Sequence, residues 1–195
     1  MKIHNDHYLE YHKYLLIRST FGDFYRKSIL FPKLKKKIGK SFVDVGCGLG
    51  EILSYGENKD CIGLDINPYN VDFVKKNGCN AELIKDNGEF PLSDNSTSSI
   101  LCDQVLEHIE KPDFLLREIS RIIKPSGNIL FGVPCEVGFR RDSDHKIFYN
   151  KESLINLCTK YNFEFVYSFY FPLPLRILGK FSKYQALYIG FKANK

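Results

Sequence analysis

The stretch "FVDVGCGLGEIL", residues 42–53, decides the fold. Its apolar start, residues 42–45, is typical of a buried strand. Three glycines follow at alternate positions, Gly46, Gly48 and Gly50. A strand that runs into a glycine-rich turn is typical of a nucleotide-binding α/β domain. Asp44 lies just before the glycines and would repel a phosphate, so we expect a ligand that brings positive charge to this turn.

Length and composition predict one globular domain with a real core. The chain has 195 residues, of which 44% are hydrophobic and 26% charged, and its net charge is +5. It has no apolar run of membrane-spanning length, and its start lacks the apolar stretch of a signal peptide, so we expect a cytoplasmic protein. The basic cluster "KLKKKIGK", residues 33–40, is interpreted as a solvated loop, and we expect no nucleic-acid partner.

The cysteines and the N-terminal histidines do not have the spacing of a metal site. The six cysteines are scattered without a C-x-x-C pair, which indicates reduced core residues. His4, His7 and His12 do not share one helix face and have no cysteine or acid cluster beside them. We therefore predict no metal.

Alternating strands and helices predict a doubly wound, mostly parallel sheet. The predicted strands are 42–46, 61–66, 81–85, 99–103 and 128–133. The predicted helices are 1–31, 49–55, 69–77, 104–110, 112–123 and 151–160. The chain then continues with "FEFVYSFYF" (163–171) and "QALYIGFK" (185–192), joined by a segment with Pro172 and Pro174, which predicts an antiparallel hairpin at the sheet edge.

Three ligands compete for the glycine turn. A P-loop is excluded because "GKS" (39–41) precedes the strand and position 34 is leucine. A dinucleotide is disfavoured because Glu51 stands where the third glycine of G-x-G-x-x-G belongs. S-adenosylmethionine (SAM) fits best, because Asp44 would attract its ammonium and sulfonium, and the turn's amides would receive its carboxylate.

Acids at the ends of the next two predicted strands agree with an adenosine. Asp65 lies close to 20 residues after the glycines, where a carboxylate accepts from ribose hydroxyls, although it also fits a helix cap. Asp86 and Asn87 are placed to bind the adenine amino group and ring, although Asp-Asn-Gly is also a plain turn sequence.

The blocks "VDVGCGLGE", "GLDINP", "KDNGEFPLSDNS", "LCDQVLEHI" and "LLREISRIIKPSGNILFGVP" resemble, in order and spacing, the class I SAM-dependent methyltransferases of type 11. The resemblance covers residues 42–134 and implies a seven-stranded Rossmann-like sheet whose last strand is antiparallel. Thr97 and Ser98 depart from the family's aromatic–aspartate pair, which is a structural position. The cofactor residues implied are Asp44, Gly46, Cys47, Gly48, Gly50, Asp65, Ile66, Asp86, Asn87, Cys102 and Gln104.

The resemblance also divides the chain into functional segments. A single methyltransferase domain, 1–195, would consist of an N-terminal helical cap or lid (1–40), a SAM-binding core (41–134), and a substrate-side loop with the C-terminal hairpin (135–195). His108 is interpreted as a packed or capping residue.

The segment "PCEVGFRRDSDHKIFYNKESL", residues 134–154, is predicted to be a long loop on the ligand face. His145 is the candidate general base for a hydroxyl acceptor. Arg140 and Arg141 are candidates for holding an anionic group, and Tyr11 and Tyr149 for lining the acceptor pocket.

The predicted function is methyl transfer from SAM to a small-molecule or glycan-precursor acceptor, at oxygen. Two alternatives stay open. Residues 169–184 are apolar with basic residues between, which would suit a lipid or quinone acceptor at a membrane, although an arm buried against the domain or a dimer partner is preferred. The other alternative is a catalytically silent member of the fold that serves as an interaction protein.

Overall fold

The computed structural model describes residues 2–17, 24, 26–56, 60–175, 180 and 182–195. Their contacts divide the chain into two compact units, residues 1–91 and residues 92–195.

The first unit carries three parallel strands and the N-terminal helices. Its elements are α1 (Lys2–Ile17), a π-helical turn (Arg26–Leu30), α2 (Phe31–Ile38), β1 (Val43–Val45), β2 (Ile62–Asp65), α3 (Pro68–Lys76) and β3 (Asn80–Leu83). β1 pairs parallel with β2, from Val43 opposite Ile62, and β2 pairs parallel with β3. All three residues of β1 are buried, as expected for a strand flanked on both sides in a parallel sheet.

The second unit carries the remaining four strands. Its elements are β4 (Thr97–Asp103), a 3₁₀ turn (Leu106–His108), α4 (Asp113–Ile122), β5 (Ile123–Pro134), α5 (Glu136–Arg141), α6 (Lys151–Thr159), β6 (Phe163–Phe171) and β7 (Ala186–Ala193). β4 and β5 are parallel, whereas β7 is antiparallel to both β5 and β6.

The seven strands follow the order β3-β2-β1-β4-β5-β7-β6. The predicted fold class is therefore confirmed: a mostly parallel seven-stranded α/β sheet that ends in an antiparallel C-terminal hairpin, with β6 at the edge. In the part of the chain that the structure describes, no helix has the length and hydropathy to span a bilayer.

Local chemistry explains the helices that the sequence predicted well. α3 begins where the Asn67 side chain accepts a hydrogen bond from the Tyr69 amide (3.0 Å), with Pro68 in the first turn. α6 begins with a reciprocal capping box between Asn150 and Ser153. α4 buries a stripe at helical spacing, Leu115, Leu116, Ile119 and Ile122.

Four sequence predictions need correction. Residues 49–55 form turns instead of a helix, because Gly50 (φ +71°) takes the chain out of the helical region. The predicted helix 104–110 is only the 3₁₀ turn, since Gln104 has φ +59°. The basic cluster 33–40 is largely α2, which buries Phe31, Leu34 and Ile38 on one face. The predicted loop after β5 starts with α5.

The expected burial of the arm 169–184 is also only partly met. Leu173, Leu175 and Tyr184 are 53%, 57% and 72% exposed. Residues 176–179 and 181 lie outside the described residues. The connection is held by Gln185, whose Nε2 donates to the carbonyl oxygens of Leu173 (2.6 Å) and Leu175 (3.2 Å).

We predict that Gly50→Ala lowers the free energy of unfolding by about 2–4 kcal/mol. An alanine at position 50 would have to adopt the left-handed backbone conformation of Gly50. Its Cβ would lie 2.8 Å from Cγ2 of Val74 in α3. Gly78→Ala is the matched control, because Gly78 has φ +79° and nothing within 4 Å of its Cβ position. It should lose only about 1–2 kcal/mol. Equal losses in urea unfolding would show that the contact with Val74 contributes nothing.

Candidate functional site

The glycine turn of the first unit is tied to the end of β2 by backbone hydrogen bonds. The amides of Gly46 and Cys47 both donate to the carbonyl oxygen of Leu64, at 2.7 and 3.1 Å. The amide of Gly48 donates to Oδ2 of Asp65 at 2.8 Å. The turn that follows β1 is therefore held directly against the carboxylate that ends β2.

Asp65 is a buried carboxylate with several donors around it. It is 7% exposed, and Oδ1 accepts from the Asn67 amide (2.8 Å) while Oδ2 accepts from Asn70 Nδ2 (3.4 Å) as well as from Gly48. Burial raises the pKa of Asp65, and these hydrogen bonds act in the opposite direction. A carboxylate offers about four lone-pair positions, and the Ile66 amide is a fourth donor to Asp65, so a ribose hydroxyl would share an oxygen with these donors or displace the longest contact, from Asn70.

Helix α1 lies against this part of the first unit. Nδ1 of His12 is 2.8 Å from Oδ1 of Asn70, and Nδ2 of Asn67 donates to the carbonyl oxygen of Tyr8 at 2.8 Å. Leu15 is buried, with Cδ1 3.7 Å from the Cβ position of Gly48. Tyr11, on the same helix, is exposed. The two asparagines that bind Asp65 thus also bind α1.

The residues after β2 and β3 are open to solvent. Ile66 is 57% exposed directly after Asp65. Asp86 is exposed, and the Asn87 side chain accepts from the Glu89 amide (3.0 Å), so Asn87 stabilises the turn in which it lies. The plain-turn interpretation of Asn87 is thus realised in the structure, while its adenine role stays a prediction.

A cavity of about 670 Å³ in the first unit lies elsewhere. Its lining includes residues at the amino ends of β2 and β3, such as Ile62 and Asn80, whereas the glycine turn and Asp65 are at the carboxyl ends. Ligands of open α/β sheets bind at the carboxyl ends of the strands. None of the predicted cofactor residues lines this cavity.

In the second unit, the end of β4 carries two polar side chains. Oδ2 of Asp103 accepts from the Tyr188 hydroxyl at 3.3 Å. The Gln104 amide donates to the carbonyl oxygen of Gly132 (2.9 Å), and its buried Nε2 has no hydrogen-bond partner among the described residues. Cys102 is buried within β4, opposite Phe131 of β5.

Next to these lies a cluster of Glu107, His108 and His145. The amides of Lys146 and Ile147 donate to the carbonyl oxygen of Glu107, at 2.6 and 3.2 Å. These bonds fix the segment after α5 to the 3₁₀ turn. As a result, the His108 and His145 rings meet edge to face, with centroids 4.7 Å apart.

Each histidine of the cluster has a partner at Nδ1. Nδ1 of His145 is 2.8 Å from the carbonyl oxygen of Phe139, and the His145 ring stacks on the Phe139 ring at 5.4 Å. Nδ1 of His108 is 3.3 Å from Oδ2 of Asp144. Burial lowers the pKa of His108, and His145 adds to that effect, while Asp144 opposes it.

Glu107 is the most isolated member of the cluster. Its side chain is fully buried, and neither carboxylate oxygen has a hydrogen-bond partner among the described residues. Burial, with the charges of Asp103 and Asp142, raises its pKa from 4.5 to about 8. The carboxyl group is therefore mostly protonated at neutral pH.

The other predicted substrate residues are distributed differently. Arg140 and Arg141 lie on α5 and are exposed, and Arg140 Nη2 pairs with Oε1 of Glu136 at 2.7 Å. Tyr149 is buried, and burial raises its pKa to about 12. Its hydroxyl has no partner among the residues described.

The comparisons with known proteins agree with the fold. The family described as "Methyltransferase domain" matches residues 43–131. A demethylmenaquinone methyltransferase of Lactobacillus johnsonii is 30% identical over 111 residues, which are 51% of this chain and 46% of that protein. A human protein named "Probable tRNA methyltransferase 9B" is 26% identical over 102 residues, which are 51% of this chain and 22% of that protein.

Among solved structures, a SAM-dependent methyltransferase of Thermotoga maritima superposes with a TM-score of 0.75 at 18% identity, over 96% of this chain and 99% of that one. The chain has the fold of the SAM-dependent methyltransferases, and its residues 43–131 match their methyltransferase-domain family. It spans less than half the length of the two curated relatives above.

The residues around the glycine turn fit SAM. The Asp65 carboxylate can accept from a ribose hydroxyl in place of its long contact with Asn70, and the exposed side chain of Ile66 offers an apolar surface to an adenine ring. Asp44 and Asp65 are both buried beside the glycine turn, where a cationic ligand would offset their charge. Burial, followed by these two charges, raises the pKa of the Cys47 thiol, so Cys47 stays neutral there.

Some members of the site were missed or underrated by sequence reasoning. Asn70 and His12 were not identified, since nothing in the sequence pairs positions 58 residues apart. His108 was interpreted as a packed or capping residue, and its pairing with Asp144 depends on the fold. The sequence did not predict an acid–histidine pair for Asp144. The acid near His145 is Asp142, whose Oδ2 lies 3.8 Å from Nε2 of His145.

We predict that Glu107→Gln stabilises the protein, prepared without bound metal ions, increasingly as pH rises. Between pH 4.5 and about 8 the unfolded wild type ionises Glu107 while the folded state keeps it protonated, so wild-type stability falls. The glutamine amide of the variant does not ionise, so the stability of the variant does not fall in this way. The difference in free energy of unfolding should grow by about 1.4 kcal/mol per pH unit in this window and level off above it.

Urea unfolding at pH 5, 6, 7 and 8 measures that difference. The neighbours Asp103, Asp142, His108 and His145 are the same in both proteins, so the difference reports on Glu107. A difference that does not change with pH would contradict a protonated Glu107.

Proposed function

We propose that this chain transfers the methyl group of SAM to an oxygen atom of a small-molecule or glycan-precursor acceptor. The match of residues 43–131 to the methyltransferase-domain family supports the reaction class. The observation that supports oxygen is the orientation of His145, whose Nδ1 is 2.8 Å from the carbonyl oxygen of Phe139. A carbonyl has no proton to give, so Nδ1 carries the proton and Nε2 keeps a free lone pair in the neutral ring.

That lone pair gives His145 the chemistry of a general base. SAM, when bound, supplies a methyl group on a sulfonium that leaves as a neutral thioether. As the acceptor oxygen forms its bond to the methyl carbon, Nε2 of His145 takes the hydroxyl proton. Phe139 holds the ring from one side by stacking and through its carbonyl oxygen, which limits the orientations of Nε2.

The arginines of α5 are proposed to hold an anionic group of the acceptor. Arg140 and Arg141 are exposed on the helix that also carries Phe139. The ion pair between Arg140 and Glu136 is solvent-exposed, and such pairs contribute only about 0–1 kcal/mol, so a phosphate or carboxylate can displace Glu136. Tyr11 and Tyr149 stay weaker proposals for the acceptor pocket.

A lipid or quinone acceptor is the second candidate. The exposed side chains of Leu173, Leu175 and Tyr184, with Lys183 beside them, form an apolar surface with basic charge. One curated relative is named for demethylmenaquinone. A catalytically silent SAM-binding protein is the remaining alternative.

We predict that Asp65→Ala weakens SAM binding tenfold or more in calorimetry. A charge-assisted hydrogen bond to a ribose hydroxyl contributes roughly 1.5–3 kcal/mol, and about 1.4 kcal/mol corresponds to a factor of ten. Asp72→Ala, on the exposed face of α3, is the control and should bind as wild type does. Asp65→Asn keeps the side-chain volume if the alanine variant is unstable. Unchanged affinity in folded variants would remove Asp65 from the cofactor site.

We predict that His145→Gln leaves SAM affinity intact and lowers turnover by ~10²-fold or more. The assay follows the tritiated methyl group of SAM into two acceptor pools, an aqueous metabolite fraction and a lipid extract. His7→Gln removes an exposed histidine from α1 as the control. Near-normal turnover in His145→Gln would refute the base role.

The pool that takes the label separates the candidate functions. Label in the aqueous fraction supports the proposed acceptor class, and label in the lipid extract supports the second candidate. SAM binding without transfer to either pool would favour the silent protein.

A further inference from the structure

Three side chains of different chemistry converge beside the end of β4. One potential ligand atom from each of Glu107, His108 and His145 lies within 4.8 Å of the other two. Two imidazole nitrogens and one carboxylate oxygen form a donor set that zinc and similar ions bind. The cluster is built by the backbone, because the amides of Lys146 and Ile147 hold the His145 segment on the carbonyl oxygen of Glu107.

Both histidines are oriented as metal ligands are. Nδ1 of His145 donates to the Phe139 carbonyl oxygen, and Nδ1 of His108 donates to the Asp144 carboxylate. Each contact fixes the proton on Nδ1 and leaves the lone pair of Nε2 free. Ligating histidines usually have this second contact, to a carbonyl or a carboxylate, which sets the tautomer and the ring orientation.

Glu107 is an independent indication of a ligand. Its side chain is fully buried, and neither oxygen has a hydrogen-bond partner within the described ranges. A buried polar group without a partner is unfavourable, and native proteins have few of them. A cation between Glu107 and the two Nε2 atoms would satisfy the carboxylate.

We propose that Glu107, His108 and His145 bind a divalent transition-metal ion of the zinc type. Three protein ligands leave a coordination position open, as catalytic zinc sites do. Oδ2 of Asp142, 3.8 Å from Nε2 of His145, is the nearby protein group that can approach this position. The proposal departs from the sequence-based prediction of no metal, because 37 residues separate His108 from His145 and only the fold brings them together.

The role of the ion rests on the proposed function. An acceptor hydroxyl at the open position would lose its proton to water more readily, because a bound cation lowers the pKa of an oxygen ligand. The Nε2 lone pair of His145 can bind either the metal ion or a proton. His145 can therefore act as a general base only when the ion is absent.

The test is Zn²⁺ binding to the full chain, prepared with a chelator and then dialysed, measured by calorimetry. Absorption of the Co²⁺-loaded protein gives a second readout that does not depend on activity. We expect one equivalent per chain. Glu107→Gln should weaken binding more than tenfold, and Asp144→Asn, which removes the carboxylate that orients His108, about tenfold.

Two control variants should bind as wild type does. His7→Gln removes an exposed histidine, and Cys79→Ser removes the one cysteine that is not buried. Equal affinity in wild type and folded Glu107→Gln, or no binding by the folded wild type, would overturn the metal site. Loss of the metal site with SAM binding and methyl transfer intact would leave the proposed function standing, whereas absence of SAM binding would refute that function alone.

Discussion

The hydrogen bond from the Gly48 amide to the Asp65 carboxylate is the contact on which the first unit depends. It joins the turn after β1 to the end of β2. The same carboxylate accepts from the Asn67 amide at the start of α3, and Asn67 and Asn70 in turn bind α1. One buried charge thus organises four elements. It stays buried because backbone and amide donors replace the water that it loses.

In the second unit, a backbone carbonyl oxygen, not a carboxylate, holds the candidate site together. The carbonyl of Glu107 accepts from two successive amides, Lys146 and Ile147. This contact determines where His145 lies relative to His108, because the segment between α5 and α6 has no regular structure of its own. The loop that carries His145 is held by main-chain hydrogen bonds. These bonds tolerate sequence change better than side-chain contacts do.

The sequence predicted what local patterns encode. The apolar runs indicated the strands, and the glycines indicated the turn. It failed at residues 49–55, where the apolar pattern suited a helix but Gly50 adopts φ +71°. It also failed to pair His108 with Asp144, since a contact between residues 36 apart is set by how β4 and the segment after α5 come together.

The two buried acids show how differently a protein can treat a carboxylate. Asp65 is surrounded by hydrogen-bond donors, so its charge is compensated within the structure. Glu107 is equally buried without side-chain partners among the described residues, and its pKa is raised to about 8. The amides of Lys146 and Ile147 hold the backbone from which this side chain extends into the interior. Burial of a carboxyl group without hydrogen-bond partners is unfavourable and is typical of a functional site. There a proton, a substrate or an ion interacts with the carboxyl group.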